Sequence, residues 1–428
     1  MDATEDPVGL VLSGGGARGA YEAGVLAELS PVLERRGERP TLFVGTSVGA
    51  ITAAYLASSR HLPVDGAVAG GLERWRSLTK DRVMRPLVTL QAPLNVLRYA
   101  GDLLGVPGAR LSSLLDPAPL ERTLPELIDF RTLRRNVAEG IVDGAAVVAT
   151  AARTGRSVVF THRAQQRPLH RSHVVEYVST ALMPAHVMAS AAIPLLFPPV
   201  RIEAPRAARG WYVDGGTRLN TPIKPGLDLG AGRLVVIGME AMSETQKGDG
   251  RHDCEPPDLA SGAAHLIKGA LADPLVEDLR LLGNINTFFA GPEHAPAARA
   301  YREARGKPPY RSVPYIFIAP RRAGAIGALA TEIFRSRYRG LRALRSPDFA
   351  VFSRLLGGEG PMHGELLSFL FFDPEFIEEL IAMGRADARQ WLSSRASDEL
   401  WQVGPLGDFG APGGDSAPGA PVRGGRVD

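Results

Sequence analysis

The sequence has a single cysteine, no long apolar run and no leader-like N-terminus. Cys254 alone among 428 residues excludes an internal disulfide framework. No uninterrupted apolar stretch approaches about 18 residues, so we expect no transmembrane helix. Residues 1–7 are acidic and lack the basic and apolar regions of a signal peptide, and we treat them as an N-terminal extension. We therefore expect a cytoplasmic protein.

The net charge is also small, and lysine is rare. The formal net charge is +3, which gives no strong attraction to nucleic acid, and we expect no nucleic-acid partner. Only five of the 49 basic residues are lysine, so the arginine-rich character reflects a compositional bias and arginine runs indicate solvated surface. Hydrophobic residues make up 45%, enough for a substantial core.

The chain is organised around a Gly-x-Ser-x-Gly motif. Residues 42–45 form a short run of β-formers that leads into Gly45, Ser47 and Gly49, and residues 50–56 continue as a helix. This strand, sharp turn and helix are typical of a nucleophile elbow, in which the serine hydroxyl stands clear of the sheet. Both glycines allow close backbone passage beside the serine. The pattern predicts Ser47 as a nucleophile.

A glycine-rich loop precedes this motif. Residues 8–12 predict a strand that runs into Ser13-Gly14-Gly15-Gly16-Ala17-Arg18-Gly19, and a helix with apolar residues at 3.6 spacing follows. The resulting βαβ unit places the loop and Ser47 at the same edge of a parallel sheet. Gly14, Gly16 and Gly19 fit a dinucleotide fingerprint, but the same amides would serve as an oxyanion hole. The second strand lacks the acidic end that a dinucleotide site needs, which favours the oxyanion hole.

Two other nucleotide or hydrolase types are less consistent with this order. No Lys-Ser or Lys-Thr follows the glycine loop, as a phosphate-binding P-loop requires. In an α/β-hydrolase the serine follows several strands, whereas Ser47 follows the second. No histidine lies in a recognisable motif, although four lie where a triad histidine could fall: His252, His265, His294 and His363.

The remaining sequence predicts one continuous α/β domain with an insertion. Residues 211–213 predict a strand that ends at Asp214, followed by Gly215 and Gly216, a pattern that is also common in turns. Residues 184–199 predict a small-residue helix closed by Pro194. We divide the chain into a catalytic domain at 8–225 with a helical insertion at 62–140, a continuation of the α/β domain at 226–403, and a disordered Gly/Pro-rich tail at 404–428.

Four motifs occur in an order that resembles the patatin-like phospholipase family. They are Gly-Gly-Gly-Ala-Arg-Gly at 14–19, Gly-Thr-Ser-Val-Gly at 45–49, Ala-Ser-Ala-Ala-Ile-Pro-Leu-Leu-Phe-Pro-Pro at 189–199 and Asp-Gly-Gly at 214–216. The resemblance covers about residues 8–225. It implies a three-layer α/β/α fold with a mostly parallel central sheet.

The resemblance also implies a chemistry. Ser47 would be the nucleophile and Asp214 the general base of a Ser-Asp dyad without histidine, and the amides of Gly14, Gly15 and Gly16 would form the oxyanion hole. Arg18 matches a basic position of the family's glycine loop. The expected activity is hydrolysis of fatty-acyl esters of lipids, with acyl transfer as a variant and without metal or other cofactor.

Two further hypotheses follow from the sequence. A non-catalytic lipid- or nucleotide-binding protein could use the glycine loop as an anion site, although such binding requires neither Ser47 nor Asp214. Residues 82–115 combine arginines with apolar residues and prolines, which suits a mobile lid that turns an apolar face to an anionic membrane surface. This segment has two open interpretations: a lid that associates with a membrane surface, or an insertion that is packed on the core.

Overall fold

The structure is a computed structural model of the full chain. It describes residues 7–86, 113, 115–164, 174–241, 275–290, 295–305, 311–338, 363–395 and 399–406.

The first elements form a parallel unit. β1 (Val8–Leu12) pairs in parallel with β2 (Leu42–Thr46), and α1 (Gly19–Arg35) connects them. Both strands are buried along their whole length, which is typical of a parallel sheet covered on both faces. α2 (Val48–Ser59) follows β2 after a single residue, Ser47. The predicted strand, loop and helix order is confirmed.

The other strands extend this unit in both directions along the sheet. They are β5 (Gly144–Ala151), β6 (Ser157–Arg163), β7 (Val175–Ser179), β8 (Val200–Ile202), β9 (Gly210–Asp214), β10 (Arg233–Ile237) and β11 (Tyr315–Ile318). The strand order is β11-β10-β1-β2-β5-β6-β7, and β9 pairs with β5 and β8. The first five strands of this order are mutually parallel, whereas β6 and β9 run antiparallel to β5. The sheet is therefore mixed but mostly parallel, as expected.

Helices cover both faces of the sheet. Those of the described residues are, besides α1 and α2, α3 (Val64–Ser77), α4 (Lys80–Val83), α5 (Ala118–Leu127), α6 (Phe130–Ala138), α7 (Pro184–Ser190), α8 (Ile223–Asp228), α9 (Leu275–Ala290), α10 (Ala295–Glu303), α11 (Ala325–Tyr338), α12 (His363–Leu370) and α13 (Pro374–Ser393). Leu10 and Leu12 of β1 belong to a large apolar cluster with α1, α2 and α13. Val11 faces the other way, into a cluster with α8 and α9. The three-layer α/β/α fold is confirmed.

The structure refines three predicted segments. Residues 62–140 are helical where they are described, with a short ribbon of β3 (Arg85–Pro86) and β4 (Leu115–Asp116), whereas most of the suggested lid at 82–115 lies outside the described residues. The helix expected over 184–193 ends at Ser190. The chain stays packed to Leu406, which is buried, so the tail boundary predicted at 404 falls too early, and 407–428 lie outside the described residues.

Candidate active site

Ser47 forms a strained elbow between β2 and α2. Its backbone has φ 53° and ψ −123°, a left-handed conformation that costs a non-glycine residue on the order of 1–3 kcal/mol. A Cβ on Gly45 would lie 2.1 Å from the Gly49 carbonyl oxygen, and one on Gly49 would lie 2.5 Å from the Leu12 carbonyl oxygen. The motif therefore has glycines where the backbone of the elbow passes another backbone too closely for a side chain.

Strand β5 brings Ser47 and Asp214 together. β2 pairs with β5 as far as Thr46, which lies opposite Val148. On the same edge of β5, the next residue, Ala149, lies opposite Asp214 of β9. β9 thus continues the edge where β2 turns away, and Ser47, which directly follows β2, becomes a neighbour of Asp214, which ends β9. The Ser47 hydroxyl lies 2.6 Å from Asp214 Oδ2, to which it donates a hydrogen bond.

The carboxyl of Asp214 is buried, with two hydrogen-bond donors facing it. Its relative exposure is 1%, and the Gly216 N–H donates to Oδ1 at 2.6 Å while Ser47 donates to Oδ2. Burial raises the pKa of Asp214 from 3.8 to about 7, against the opposing effect of these two hydrogen bonds. Gly215 and Gly216 form a tight 3₁₀ turn that aims the Gly216 amide at this carboxyl. A carboxyl with this pKa can exchange a proton near neutral pH.

The glycine loop presents two amides without acceptors. The Gly14 N–H donates to the Asn220 carbonyl at 3.3 Å, and the Asn220 side-chain amide donates to the Gly14 carbonyl at 3.2 Å. Within the described part of the chain, no acceptor faces the amides of Gly15 or Gly16. Gly14 thus ties the loop to Asn220, and the oxyanion hole of Gly14, Gly15 and Gly16 stays a prediction.

Two buried side chains fix the ends of the loop. Glu22 of α1 accepts a hydrogen bond from the Ser13 N–H at 2.9 Å, and burial raises the pKa of its carboxyl well above the usual range. Arg18 is buried and points toward α12, where Glu365 and Ser368 accept its hydrogen bonds. Gly19 is buried at the start of α1. The loop is thus held by side chains from two helices.

Ser190 is a site residue that motif reasoning did not single out. Its hydroxyl accepts a hydrogen bond from the Ser47 N–H at 2.8 Å and donates one to the Val148 carbonyl at 2.5 Å. It therefore ties the backbone of the elbow to β5. The sequence signal was its place in the motif at 189–199, where it is the only residue with a side-chain hydroxyl.

No histidine hydrogen-bonds to Ser47 or Asp214 among the described residues. His186 is buried, its Nδ1 accepts from the Met183 N–H at 3.1 Å, and burial lowers its pKa to about 4. Of the triad candidates, His252, His265 and His294 lie outside the described residues, and His363 is described only as the first residue of α12. No histidine that the structure describes thus forms a catalytic triad with Ser47.

Ser47 lines an apolar cavity. Gly16 and Ser47 form one part of its lining, and helices α1, α2 and α3 supply the side walls, for example through Leu26, Ile51 and Leu72. Phe369, Leu370 and Phe372 close it from the C-terminal part of the chain. An apolar pocket next to a few polar groups is the usual form of a site for a ligand with an apolar body and a polar end.

The described residues contain neither a metal-binding cluster nor a membrane-spanning helix. No group of three His, Cys, Asp or Glu side chains could hold a metal ion in the described ranges. Among the helices that the structure describes, none combines the length and apolarity needed to cross a bilayer.

Comparisons with known proteins identify the family. The family model described as patatin-like phospholipase matches residues 10–227, just over half of the chain. A search of curated protein sequences finds no match. Among solved structures, the crystal structure of VipD from Legionella pneumophila is similar, with 15% sequence identity and a TM-score of 0.33, over 92% of this chain and 67% of that one.

Proposed function

Because the chain belongs to the patatin-like phospholipase family, we propose that it is a serine acyl hydrolase of the phospholipase A or lysophospholipase type. It cleaves fatty-acyl ester bonds of lipids through a Ser-Asp dyad. The observation that carries the proposal is the 2.6 Å hydrogen bond from the Ser47 hydroxyl to Asp214, together with the apolar cavity that Ser47 lines. A protein that only bound an anion at the glycine loop would need neither residue, which counts against that alternative.

The first half-reaction forms an acyl-enzyme. Ser47 Oγ attacks the ester carbonyl carbon while its proton passes to Asp214 Oδ2. The carbonyl oxygen becomes an oxyanion, and the amides of Gly15 and Gly16 stabilise it. When the tetrahedral intermediate collapses, the bond to the alcohol oxygen breaks and Asp214 returns the proton to that oxygen. The alcohol leaves, and the acyl group stays on Ser47.

The second half-reaction releases the fatty acid. A water molecule gives its proton to Asp214 as it attacks the acyl carbonyl, and the same amides hold the second oxyanion. Collapse breaks the bond to Ser47 Oγ, which takes the proton back from Asp214. The enzyme is then in its initial state. Attack by an alcohol instead of water would give acyl transfer.

The pKa of Asp214 suits this role. A carboxylate with an ordinary pKa near 4 is a weak base toward an alcohol. Burial raises the pKa of Asp214 to about 7, so that its carboxylate is a stronger base and is still ionised in part at neutral pH. The strained elbow and the Ser190 bridge hold Ser47 in place for the attack.

The cavity supports a lipid substrate. Its walls are mostly apolar, so an acyl chain buried there gains hydrophobic transfer energy of about 0.8 kcal/mol per methylene. Ser47 and Gly16 line one part of the cavity, where the ester carbonyl would sit. An ester at a membrane surface could then enter with its acyl chain first.

A fluorophosphonate probe tests the proposal on the full chain. The probe should label wild type at Ser47, and labelling should disappear in Ser47→Ala. Ser58→Ala is a matched control, because Ser58 is a buried serine of α2 whose hydroxyl donates to the Tyr55 carbonyl. It should label as wild type does. Labelling at a different serine, or undiminished labelling of Ser47→Ala, would overturn the proposed nucleophile.

A further inference from the structure

Helix α12 contacts the glycine loop although it lies outside the residues that the family model matches. The Arg18 guanidinium donates hydrogen bonds to the Glu365 carboxylate and the Glu365 carbonyl, both at 2.6 Å. It donates a third to the Ser368 hydroxyl at 2.6 Å and lies 4.0 Å from the centre of the Phe369 ring. One turn of α12 thus surrounds the side chain of Arg18.

Burial makes these contacts consequential. The side chain of Arg18 is 3% exposed, and that of Glu365 is 20% exposed. A buried guanidinium without an anionic partner is strongly unfavourable, and charge-assisted hydrogen bonds of this length are stronger than neutral ones. Arg18 therefore has one well-satisfied position, which α12 determines.

The same helix also touches the loop at an oxyanion donor. Gly16 has φ +58°, and a Cβ built on it would lie 2.0 Å from the Phe369 carbonyl oxygen. The backbone of α12 is therefore packed directly on the residue whose amide is proposed to hold the oxyanion. A shift of α12 would be transmitted to Gly16 both by this contact and through Arg18, two residues further along.

Helix α13 fixes α12 on the body of the protein. α13 packs along α1, where a Cβ on Gly24 would lie 2.2 Å from the Ile381 carbonyl oxygen. Tyr21 of α1 donates a hydrogen bond to Asp387 of α13 at 3.1 Å. Because α13 begins four residues after α12 ends, the position of α12 follows from this docking.

We propose that Glu365 and Ser368 are positioning residues of the active site, which hold the amides of Gly15 and Gly16 in place through Arg18. The inference rests on the proposed function, since it concerns the oxyanion hole of that reaction. The C-terminal part of the chain is then required for the catalytic rate and not only for stability. Neither residue touches the substrate in this arrangement.

Steady-state kinetics of the full chain on a soluble short-chain ester test the inference. Glu365→Ala should lower kcat by about 10- to 100-fold, less than the ~10²–10³ that follows from removing an oxyanion donor, with little change in KM. Ser368→Ala should lower kcat in the same direction by a smaller factor. Glu365→Gln retains an acceptor for Arg18, and it should recover part of the kcat that Glu365→Ala loses.

Glu378→Ala is the matched control. Glu378 of α13 also pairs with an arginine, Arg76 of α3, at 2.6 Å, but both side chains are about half exposed. Its kcat should stay within about twofold of wild type. A wild-type kcat in folded Glu365→Ala and Ser368→Ala would overturn the inference while the wild-type activity still supported the proposed function. Inactive wild type would overturn both. Equal losses in Glu365→Ala and Glu378→Ala would also contradict the inference, because they would indicate a general effect of C-terminal docking.

If Glu365→Ala does not fold, Ser368→Ala carries the same test. Its hydroxyl accepts from Arg18 Nε and donates to the Glu365 carbonyl within α12, so its removal leaves the ion pair with Glu365 intact and removes one of the acceptors that orient the guanidinium. A reduced kcat at unchanged KM and melting temperature supports positioning, and an unchanged kcat contradicts it.

Discussion

Asp214→Asn, which replaces the carboxyl by an amide, should become more stable relative to wild type as the pH rises. Burial raises the pKa of Asp214 from 3.8 to about 7, so the folded protein binds this proton more tightly than the unfolded chain does. The free energy of unfolding contributed by Asp214 therefore falls between about pH 4 and pH 7 and stays low above that range. The amide of Asp214→Asn does not titrate, so the free energy of unfolding of this variant does not contain the pH-dependent loss that Asp214 causes in wild type.

The magnitude follows from the size of the pKa shift. One pKa unit corresponds to about 1.4 kcal/mol. Between pH 5 and pH 8, wild type loses the part of its free energy of unfolding that corresponds to about two units of the Asp214 pKa shift. The free energy of unfolding of Asp214→Asn, relative to that of wild type, should accordingly rise by about 2.5 kcal/mol between pH 5 and pH 8. Other titrating groups are common to both proteins, so they cancel in the difference.

Urea unfolding at pH 5 and pH 8 measures this difference. Asp129→Asn is the control, because backbone and side-chain hydrogen bonds at the start of α6 lower the pKa of Asp129, which is then ionised over the whole interval in both folded and unfolded chains. Its difference from wild type should not change between the two values of pH. An equally constant difference for Asp214→Asn would refute the elevated pKa and the argument that depends on it.

Three further predictions concern catalysis. The kcat/KM of wild type should fall about tenfold per unit as the pH drops below about 7, because the base must be ionised and the pKa of Asp214 is about 7; a pH–rate profile that is flat from pH 5 to 8 would contradict this. Ser190→Ala should lower kcat by about tenfold or more, with a small change in melting temperature, because the Ser47 N–H loses its acceptor; unchanged kinetics would show that the bridge is dispensable. Val68→Phe should reduce kcat/KM for long-chain esters while sparing a butyrate ester, because Val68 lines the cavity at a partly exposed position of α3; equal effects on both esters would exclude an acyl-chain role.

The local parts of the site could be predicted from sequence. The elbow at Ser47 and the glycine loop each depend on a strand, a few glycines and a helix that are adjacent in the chain, so periodicity and turn chemistry are sufficient. β1 and β2 were predicted as parallel neighbours for the same reason, since one helix connects them. The three-layer fold needed the family resemblance in addition to these patterns.

The long-range parts could not be predicted from residue patterns. Asp214 meets Ser47 only because β9 replaces β2 along β5, a pairing between residues 167 positions apart for which the sequence has no periodic signal. Ser190 and Glu365 act across 143 and 347 positions respectively. The helix that contains Ser190 is shorter than expected because the chain turns so that the Ala192 carbonyl can accept the Asp214 N–H at 2.8 Å. Tertiary hydrogen bonds outweigh local helix propensity there.

Contacts between residues far apart in the chain also explain two details of the glycine loop and the tail. The resemblance implies one role for Gly14, Gly15 and Gly16, but only the Gly14 N–H donates to Asn220, a contact far along the chain that no motif reveals. The tail was placed at Gly404 from its composition, although Leu406 packs with the cluster around β10 and β11. Composition does not reveal a single apolar residue that has a place in the core.

The most direct test of the Ser-Asp dyad is a double-mutant cycle. The kcat/KM for a short-chain chromogenic ester is measured in wild type, Ser47→Ala, Asp214→Asn and the double mutant, with folding checked by circular dichroism. Because the two residues act as one unit, each single substitution should remove nearly all activity, and the double mutant should be no more than about threefold worse than either. Independent losses that multiply in the double mutant, or wild-type activity in Asp214→Asn, would contradict the dyad.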